Sequence, residues 1–240
     1  AAGQSGVRVY AQTLNDNVYE GNETIQIQAA VPGRQGFIES QEAIITDNAD
    51  IPKVSSITAF QNAVEDGWVG WNLNMTNTST TNSTVQLNFN DGIHQADFGA
   101  DYNGVVHVYS LAGVKLQEVV LNASNGYKAN ITIPAGQTGV KIYADTLNDN
   151  VFEGNETIKI QGAVIGQQGW VQSQAATITD DADKPRVTSV SNTSVNEGDA
   201  ASVTITLSNE STTPTRVFID AYGGSATEGK DFNTKDLWVN

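Results

Sequence analysis

The chain has 240 residues, 39% of them hydrophobic, and a formal net charge of −15 from 27 acidic and 12 basic residues. Its Lys and Arg residues are too sparse and scattered to follow a phosphate backbone, so nucleic acid and anionic membranes are not expected partners, and a multivalent cation is the natural counter-charge. The absence of cysteine excludes disulfides, thiolate metal sites and cysteine nucleophiles, and no apolar run approaches the roughly 20 residues of a membrane-spanning helix.

Short strands are predicted along the whole chain. Alternation of apolar and polar residues marks five of them, at Val85–Phe89, Val105–Tyr109, Ala129–Ile133, Thr157–Gln161 and Val203–Leu207. Clusters of Gly, Asn, Ser and Thr, such as Asn77–Thr84 and Asn122–Gly126, separate the strands and are typical of turns. About seven short strands in about 130 residues predict an all-β chain built of antiparallel β-sandwiches.

An internal repeat organises the chain. Residues 2–50 align without gaps on residues 135–183, and 34 of the 49 positions are identical. A weaker match joins Pro52–Ser56 to Pro185–Ser189 and Ala96–Tyr102 to Ala226–Phe232. The alignment predicts that residues 1–50 are the C-terminal part of one repeat, residues 51–183 a complete repeat, and residues 184–240 the N-terminal part of the next. The chain is therefore expected to be an excerpt of a longer array.

Acidic residues occur at four places in residues 51–183. They are Glu65, Asp101, the loop Asn148–Glu153 and the linker Asp180–Asp183. Because turns at one end of a sandwich cluster in space, these loops are expected to converge on one edge. Converging carboxylates repel unless a cation joins them, and a ligand set made only of oxygens suits calcium. The two histidines, at positions 94 and 107, lie outside these loops, which argues against zinc or copper.

Four motifs together resemble the Calx-β family. They are a Glu before an early strand, Ala-x-x-Gly-x-Asp-Tyr/Phe at 96–102 and 226–232, Asn-Asp-x-x-x-Glu-Gly-x-Glu at 148–156 and 15–23, and the terminal Asp cluster. Calx-β domains occur in the calcium-sensing region of sodium–calcium exchangers and as tandem arrays in large bacterial adhesins. The resemblance covers the whole chain. It implies tandem seven-stranded immunoglobulin-like sandwiches that bind Ca²⁺ where one domain meets the next.

The resemblance also implies the calcium ligands. Carried over position by position, they are Glu65, Asp101, Asn148, Asp149, Glu153, Asp180, Asp181 and Asp183 in the complete repeat, Asp16, Glu20, Asp47 and Asp50 in the first piece, and Glu197 and Asp231 in the last. Exchanger-like sites carry paired Asp where this chain has Asn148-Asp149 and Asn15-Asp16. Fewer carboxylates imply weaker binding, with a Kd of roughly 10⁻⁴–10⁻³ M. The nearby Glu23 and Glu156 are expected to face solvent.

The sequence favours a calcium-rigidified spacer or filament segment of an extracellular adhesin or matrix protein, with neighbouring repeats as partners. Two alternatives stay open. The segment Tyr109–Tyr127, which the flanking pieces lack, could carry a surface for a glycan or protein ligand. Alternatively, residues 1–50 could pair with residues 184–240 of another chain, giving a head-to-tail polymer by strand complementation. No Gly-x-Ser-x-Gly elbow or GxxxxGK loop is present, and no enzymatic activity is expected.

Overall fold

The computed structural model describes residues 3–34, 36–89, 95–167, 169–180 and 182–233. Within these ranges the regular structure is strand, apart from one turn of 3₁₀-helix at Ala123–Asn125, and most strand pairs are antiparallel, which confirms the predicted all-β class. None of the described residues forms a helix with the length and hydropathy of a membrane span. Contacts divide the chain into two compact units, Ala1–Leu147 with Thr157–Ile178, and Asn148–Glu156 with Thr179–Asn240.

The strands are short and are separated by Gly- and Asn-rich turns. Up to residue 64 they are β1 (Val18–Tyr19), β2 (Glu23–Ile25), β3 (Gln28–Ala29), β4 (Ile38–Glu39), β5 (Ala43–Ile45), β6 (Val54–Gln61) and β7 (Ala63–Val64). From residue 68 to residue 146 they are β8 (Trp68–Met75), β9 (Thr78–Ser79), β10 (Ser83–Asn88), β11 (Tyr102–Ser110), β12 (Lys115–Val120), β13 (Lys128–Ile133) and β14 (Gly139–Thr146). Beyond residue 150 they are β15 (Val151–Phe152), β16 (Glu156–Ile158), β17 (Gln161–Val164), β18 (Val171–Gln172), β19 (Ala176–Thr179), β20 (Val187–Val190), β21 (Ile205–Leu207) and β22 (Glu210–Ser211).

The first unit contains a two-layer sandwich. One layer is a five-stranded sheet in the order β12-β11-β14-β8-β6, and the other is a four-stranded sheet in the order β13-β10-β17-β18. The strand pairs within both sheets are antiparallel. Along β11, buried and half-buried residues alternate from Tyr102 to Ser110, so one face of the strand points to the core and the other outward.

One apolar cluster fills the space between the layers. Its largest fully buried side chains include Trp71, Phe89 and Tyr102. The Trp71 and Phe89 rings meet edge to face with centroids 6.0 Å apart. The polar atoms of the buried rings have partners, since Trp71 Nε1 donates to the Gln174 carbonyl at 3.3 Å and the Tyr102 hydroxyl donates to the Phe89 carbonyl at 3.1 Å. The buried Trp71 and Tyr102 side chains are therefore closely packed, and their polar atoms are hydrogen-bonded.

The prediction of a single strand at Thr157–Gln161 is wrong. β16 ends at Ile158 and belongs to a three-stranded sheet with β19 and β7, whereas β17 begins at Gln161 in the four-stranded sheet. Between them, the Ile160 amide donates to Ser173 Oγ at 2.9 Å, and the Ser173 amide donates to the Ile160 carbonyl at 2.8 Å. The Ser173 hydroxyl thus takes the place of a backbone acceptor for the Ile160 amide. At this point the chain leaves the three-stranded sheet and enters the four-stranded sheet.

Equivalent residues of the repeat differ in burial. Val140 and Ile158 are fully buried, whereas their sequence counterparts Val7 and Ile25 are 82% and 37% exposed. In the second unit, Val187 is 48% exposed although its counterpart Val54 is only 7% exposed. Ile25 and Val187 lie in strands, as their buried counterparts do, whereas Val7 lies in no strand. The buried copies are those that belong to the core of the two-layer sandwich. The division of the chain into three repeat segments stays a prediction.

Candidate metal centre

The acidic loop Asn148–Phe152 holds its shape through local hydrogen bonds. Asn148 Oδ1 accepts from the Asn150 amide at 3.0 Å, and Asp149 Oδ1 accepts from the Val151 amide at 2.9 Å. Asn150 has a φ of 64°, a left-handed conformation that Asn tolerates better than most residues. The sequence copy at 15–19 makes the two corresponding bonds at 2.9 and 3.0 Å. The Asn-Asp-Asn sequence therefore determines the loop geometry in both places.

Each loop is joined to the first Asp of the linker that follows it. In the second unit, the Glu153 amide donates to Asp180 Oδ2 at 2.7 Å. In the first unit, the Glu20 amide donates to Asp47 Oδ2 at the same distance of 2.7 Å. A charge-assisted bond of this length fixes the carboxylate beside the loop backbone.

The last Asp of each linker is held by an asparagine from farther along the chain. Asn209 Nδ2 donates to Asp183 Oδ1 at 3.1 Å and to the Asn150 carbonyl at 3.2 Å. Asn77 Nδ2 makes the same two bonds in the first unit, to Asp50 Oδ1 at 3.3 Å and to the corresponding loop carbonyl at 3.2 Å. One amide group thus connects the loop and the linker in each unit.

A short parallel strand pair completes each arrangement. β15 pairs with β22, and the Thr212 amide donates to the Phe152 carbonyl at 3.0 Å. In the first unit β1 pairs with β9, and the Thr80 amide donates to the Tyr19 carbonyl at 2.9 Å. The loop, the linker and the strand after the asparagine are therefore bonded together in the same way twice, once within each unit.

The carboxylates of the second unit have capacity for a cation. Asp180 and Asp183 are 3% and 6% exposed, and each has one buried carboxylate oxygen with no hydrogen-bond partner among the described residues. A carboxylate oxygen of Asp180 lies within 4.8 Å of one from Asp183, and the same holds for Glu153 and Glu156. Buried anions without partners are costly. An oxygen-coordinated divalent cation would satisfy them, so this donor set fits calcium.

The pKa values of the first unit show the same crowding. The Glu23 carboxylate, followed by Asp16, raises the pKa of Glu20 above its ordinary value. Burial raises the pKa of Asp50, and the neighbouring carboxylates of Asp47 and Asp16 add to the effect. Each group is harder to ionise because its surroundings are dry or negative, and a bound cation would remove that penalty.

One glutamate of the acidic cluster was missed by the sequence interpretation. Glu156, expected to face solvent, is half-buried and close to Glu153. Its counterpart Glu23 is exposed but is the largest influence on the pKa of Glu20. The sequence did hold a sign of this: the motif Glu-Gly-x-Glu occurs in both copies of the repeat, so the second Glu is repeated together with the first. The expectation of a solvent-facing side chain is therefore confirmed for Glu23 and wrong for Glu156.

The aspartates of the Ala-x-x-Gly-x-Asp motif close their own turns. Asp101 is 4% exposed, and its Oδ2 accepts from the Asp97 amide, while its carbonyl accepts from the Leu147 amide at 2.8 Å. In the second unit, Asp231 Oδ2 accepts from the Thr227 amide at 2.7 Å. In each motif, one carboxylate oxygen of the aspartate therefore accepts a backbone hydrogen bond that closes the turn.

The remaining predicted ligands are placed as follows. Glu65 is half-buried in the turn between β7 and β8 of the first unit. Glu197 is exposed in a turn of the second unit. Asp181 and His94 lie outside the described residues. The structure therefore brings together Asp149, Glu153, Asp180 and Asp183 through the bonds of the second unit, and their counterparts through those of the first.

If a calcium ion binds these carboxylates, the stabilisation that it provides should weaken as the pH falls. A carboxyl whose pKa is raised in the calcium-free folded state takes up a proton before the unfolded chain does, so acidification relieves its penalty and stabilises the calcium-free fold. Protons also compete with calcium for the same oxygens. We expect the difference in melting temperature with and without calcium to shrink between about pH 7 and about pH 5. Melts in matched buffers measure it, and a difference independent of pH would contradict this assignment of ligands.

No protein-family model matches the chain, and no curated protein does. Among solved structures, it is similar to the calcium-binding domain CBD12 of CALX1.1 (TM-score 0.34, 16% identity, 55% of this chain and 48% of that one). It is also similar to CBD12 from CALX1.2 (TM-score 0.33, 16% identity, 56% and 49%), and to the C-terminal domain of the Streptococcus agalactiae AgI/II polypeptide BspA (TM-score 0.27, 10% identity, 53% and 48%). The chain spans about half the length of each. What it binds must therefore be argued from its own residues.

Proposed function

We propose that this protein is a calcium-binding spacer segment of an extracellular adhesin or matrix protein, in which Ca²⁺ occupies the acidic loops and stiffens the chain of repeats. The observation that carries the proposal is the pair of buried carboxylate oxygens on Asp180 and Asp183, which have no hydrogen-bond partner among the described residues. Oxygen donors at this spacing, with Glu153 joined to the same linker, suit the flexible coordination of calcium.

The spacer role is supported by how short and how well bonded the linkers are. β19 ends at Thr179 and β20 begins at Val187, and within this interval Asp180 is bonded to the preceding loop and Asp183 to an asparagine beyond it. A cation held by these carboxylates would remove the freedom that the linker retains. Because a ligand that binds only the ordered state stabilises it by mass action, stiffness should follow the calcium concentration.

The extracellular assignment rests on expected affinity. Asn occupies position 148 where a second carboxylate would tighten binding, and the same substitution occurs at Asn15. A Kd of roughly 10⁻⁴–10⁻³ M is typical of extracellular modules, which work where calcium is abundant. A weak site of this kind would be filled outside a cell and largely empty in a calcium-poor cytosol.

Calcium titration followed by small-angle scattering tests the two parts separately. We expect saturable heat when calcium is added to chelator-treated protein, because the carboxylates are already gathered. We also expect scattering to report a narrower range of dimensions with calcium than with chelator. If no heat is measured, the acidic loops are ordinary turns and do not bind calcium. Heat without a change in scattering would keep calcium binding and remove the stiffening. The strand-complemented polymer stays an alternative, which a strictly monomeric species in light scattering would contradict.

A further inference from the structure

An aromatic cluster lies on the outer face of the five-stranded sheet, away from the sandwich core. The Tyr143 ring is at its centre, with ring centroids 5.4 Å from Phe60, 5.5 Å from Tyr109 and 6.0 Å from Trp68. Trp68 and Phe60 are 47% and 42% exposed. Large aromatic side chains grouped on a surface are uncommon unless they bind something.

Strand register brings these rings together from four strands. Tyr143 of β14 lies opposite Gly70 of β8 on one side and opposite His107 of β11 on the other. A Cβ at Gly70 would lie 2.8 Å from Phe60 Cζ, so the Phe60 ring could keep its place only if residue 70 has no side chain. The missing side chain lets the Phe60 ring lie across β8 and reach Tyr143. The cluster is thus built by the sheet and not by a mobile loop.

The rings surround a cleft. Gln61, Trp68, Tyr109, Gly113 and Tyr143 line a volume of about 290 Å³, near the lower end of the range for small-molecule sites. The Tyr109 and Tyr143 planes are 83° apart, so the cleft has walls as well as a floor. The Gln61 side-chain amide donates to the Trp68 carbonyl at 2.8 Å, which fixes one edge. A ligand with one or two six-membered rings would fit this space.

Polar groups that are bonded to one another form a rim beside Trp68. His107 Nε2 lies 3.0 Å from Asp145 Oδ1, and Lys115 Nζ donates to Glu118 Oε2 at 2.8 Å. The Trp68 ring is 5.6 Å from the imidazole of His107. Each carboxylate on this rim already has a hydrogen-bonding partner, and the ammonium group of Lys115 is paired with Glu118, so the rim offers no free cation to an anionic ligand. The rim suits a neutral ligand that donates and accepts hydrogen bonds.

We propose that this cleft binds a neutral carbohydrate, with one C–H face of a pyranose ring against Trp68 and Tyr143 and its hydroxyl groups on Gln61 and the His107–Asp145 pair. The negative face of an aromatic ring attracts the weakly positive hydrogens of an apolar sugar face. The rim then supplies both hydrogen-bond donors and acceptors for the hydroxyls. The ligand-binding alternative drawn from the sequence centred on Tyr109–Tyr127, and the cleft takes only Tyr109 and Gly113 from that segment.

The chain offers a matched control for the test. Trp170 is 42% exposed, close to the 47% of Trp68, but it lies at a different place, with Lys128 Nζ 5.8 Å from its ring centroid. An array of neutral oligosaccharides identifies a binder, and titration then compares Trp68→Ala, Tyr109→Ala and Trp170→Ala with the unaltered protein, since Trp68 and Tyr109 both line the cleft. We expect each of the first two to weaken binding at least about tenfold, which corresponds to about 1.4 kcal/mol, and Trp170→Ala to leave it unchanged.

Three results would overturn the proposal. They are the absence of any bound neutral oligosaccharide, an equal loss in Trp68→Ala and Trp170→Ala, and a preference for apolar peptides or quaternary ammonium compounds. Because Trp68 is 47% exposed and Tyr109 lies on the outer face of the sheet, outside the buried core, both variants should fold, and thermal melts verify this. If one variant does not fold, the other still decides. The cleft shares no residue with the acidic loops, so failure here leaves the calcium proposal standing.

Discussion

Replacing Asp50 and Asp183 together by asparagine should remove most of the stabilisation that calcium provides. Both side chains are buried, and each accepts a hydrogen bond from an asparagine side-chain amide on one carboxylate oxygen. The second carboxylate oxygen of Asp183 has no partner among the described residues. Asparagine keeps the accepting oxygen but loses the charge, so the fold should persist. We expect the apparent Kd for calcium to rise roughly tenfold or more, measured by titration and by melts with and without calcium.

The calcium-free melt of this double variant is equally informative. Burial and neighbouring carboxylates raise the pKa of Asp50, so removing its charge should leave the calcium-free protein as stable as before or more stable. The control is Glu42→Gln with Asp220→Asn, which removes the same two charges from exposed positions. If the control loses calcium binding to the same extent, the effect comes from net charge and not from a site. If neither variant loses it, these aspartates are not ligands.

Local sequence predicted the parts of the structure that depend on local physics. Alternating side chains predicted Val105–Tyr109 and Ala129–Ile133, which lie within β11 and β13. Val203–Leu207 was predicted too long, since β21 covers only Ile205–Leu207. Asn and Asp residues predicted turns, and their side chains do bond to the backbone two residues ahead in the loop at 148–151. In each case the stabilising partner lies within a few residues.

The parts that could not be predicted depend on partners distant in sequence. Asn209 lies 26 residues after Asp183, and nothing in its immediate sequence distinguishes it from an ordinary turn asparagine. Ser173, 13 residues after Ile160, accepts a hydrogen bond from the Ile160 amide with its hydroxyl at the point where β16 and β17 are separated. The aromatic cleft likewise needs the register of four strands before Phe60, Trp68 and Tyr143 meet. Because a shift of one residue would turn each side chain to the other face, pattern alone does not specify such a site.

Trp71→Ala should cost the most stability of any single change discussed. The indole is fully buried, packs against Phe89, and donates to the Gln174 carbonyl. Removing it leaves a large cavity and an unpaired carbonyl, and such truncations cost about 3–5 kcal/mol. Denaturant unfolding of the calcium-loaded protein measures the loss as a lower midpoint at an unchanged slope.

Trp68→Ala is the natural comparison, since it removes the same side chain three residues away. Trp68 is 47% exposed on the opposite face of β8, so its loss should cost about 1 kcal/mol or less. A large cost at Trp68 and a small cost at Trp71 would mean that the strand is inverted, with the aromatic cluster inside and the proposed core outside. The expected order supports the register, and the register is what places both the carbohydrate cleft and the sandwich core. The two tryptophans therefore test the fold at the position where the fold and the proposed ligand site depend on each other.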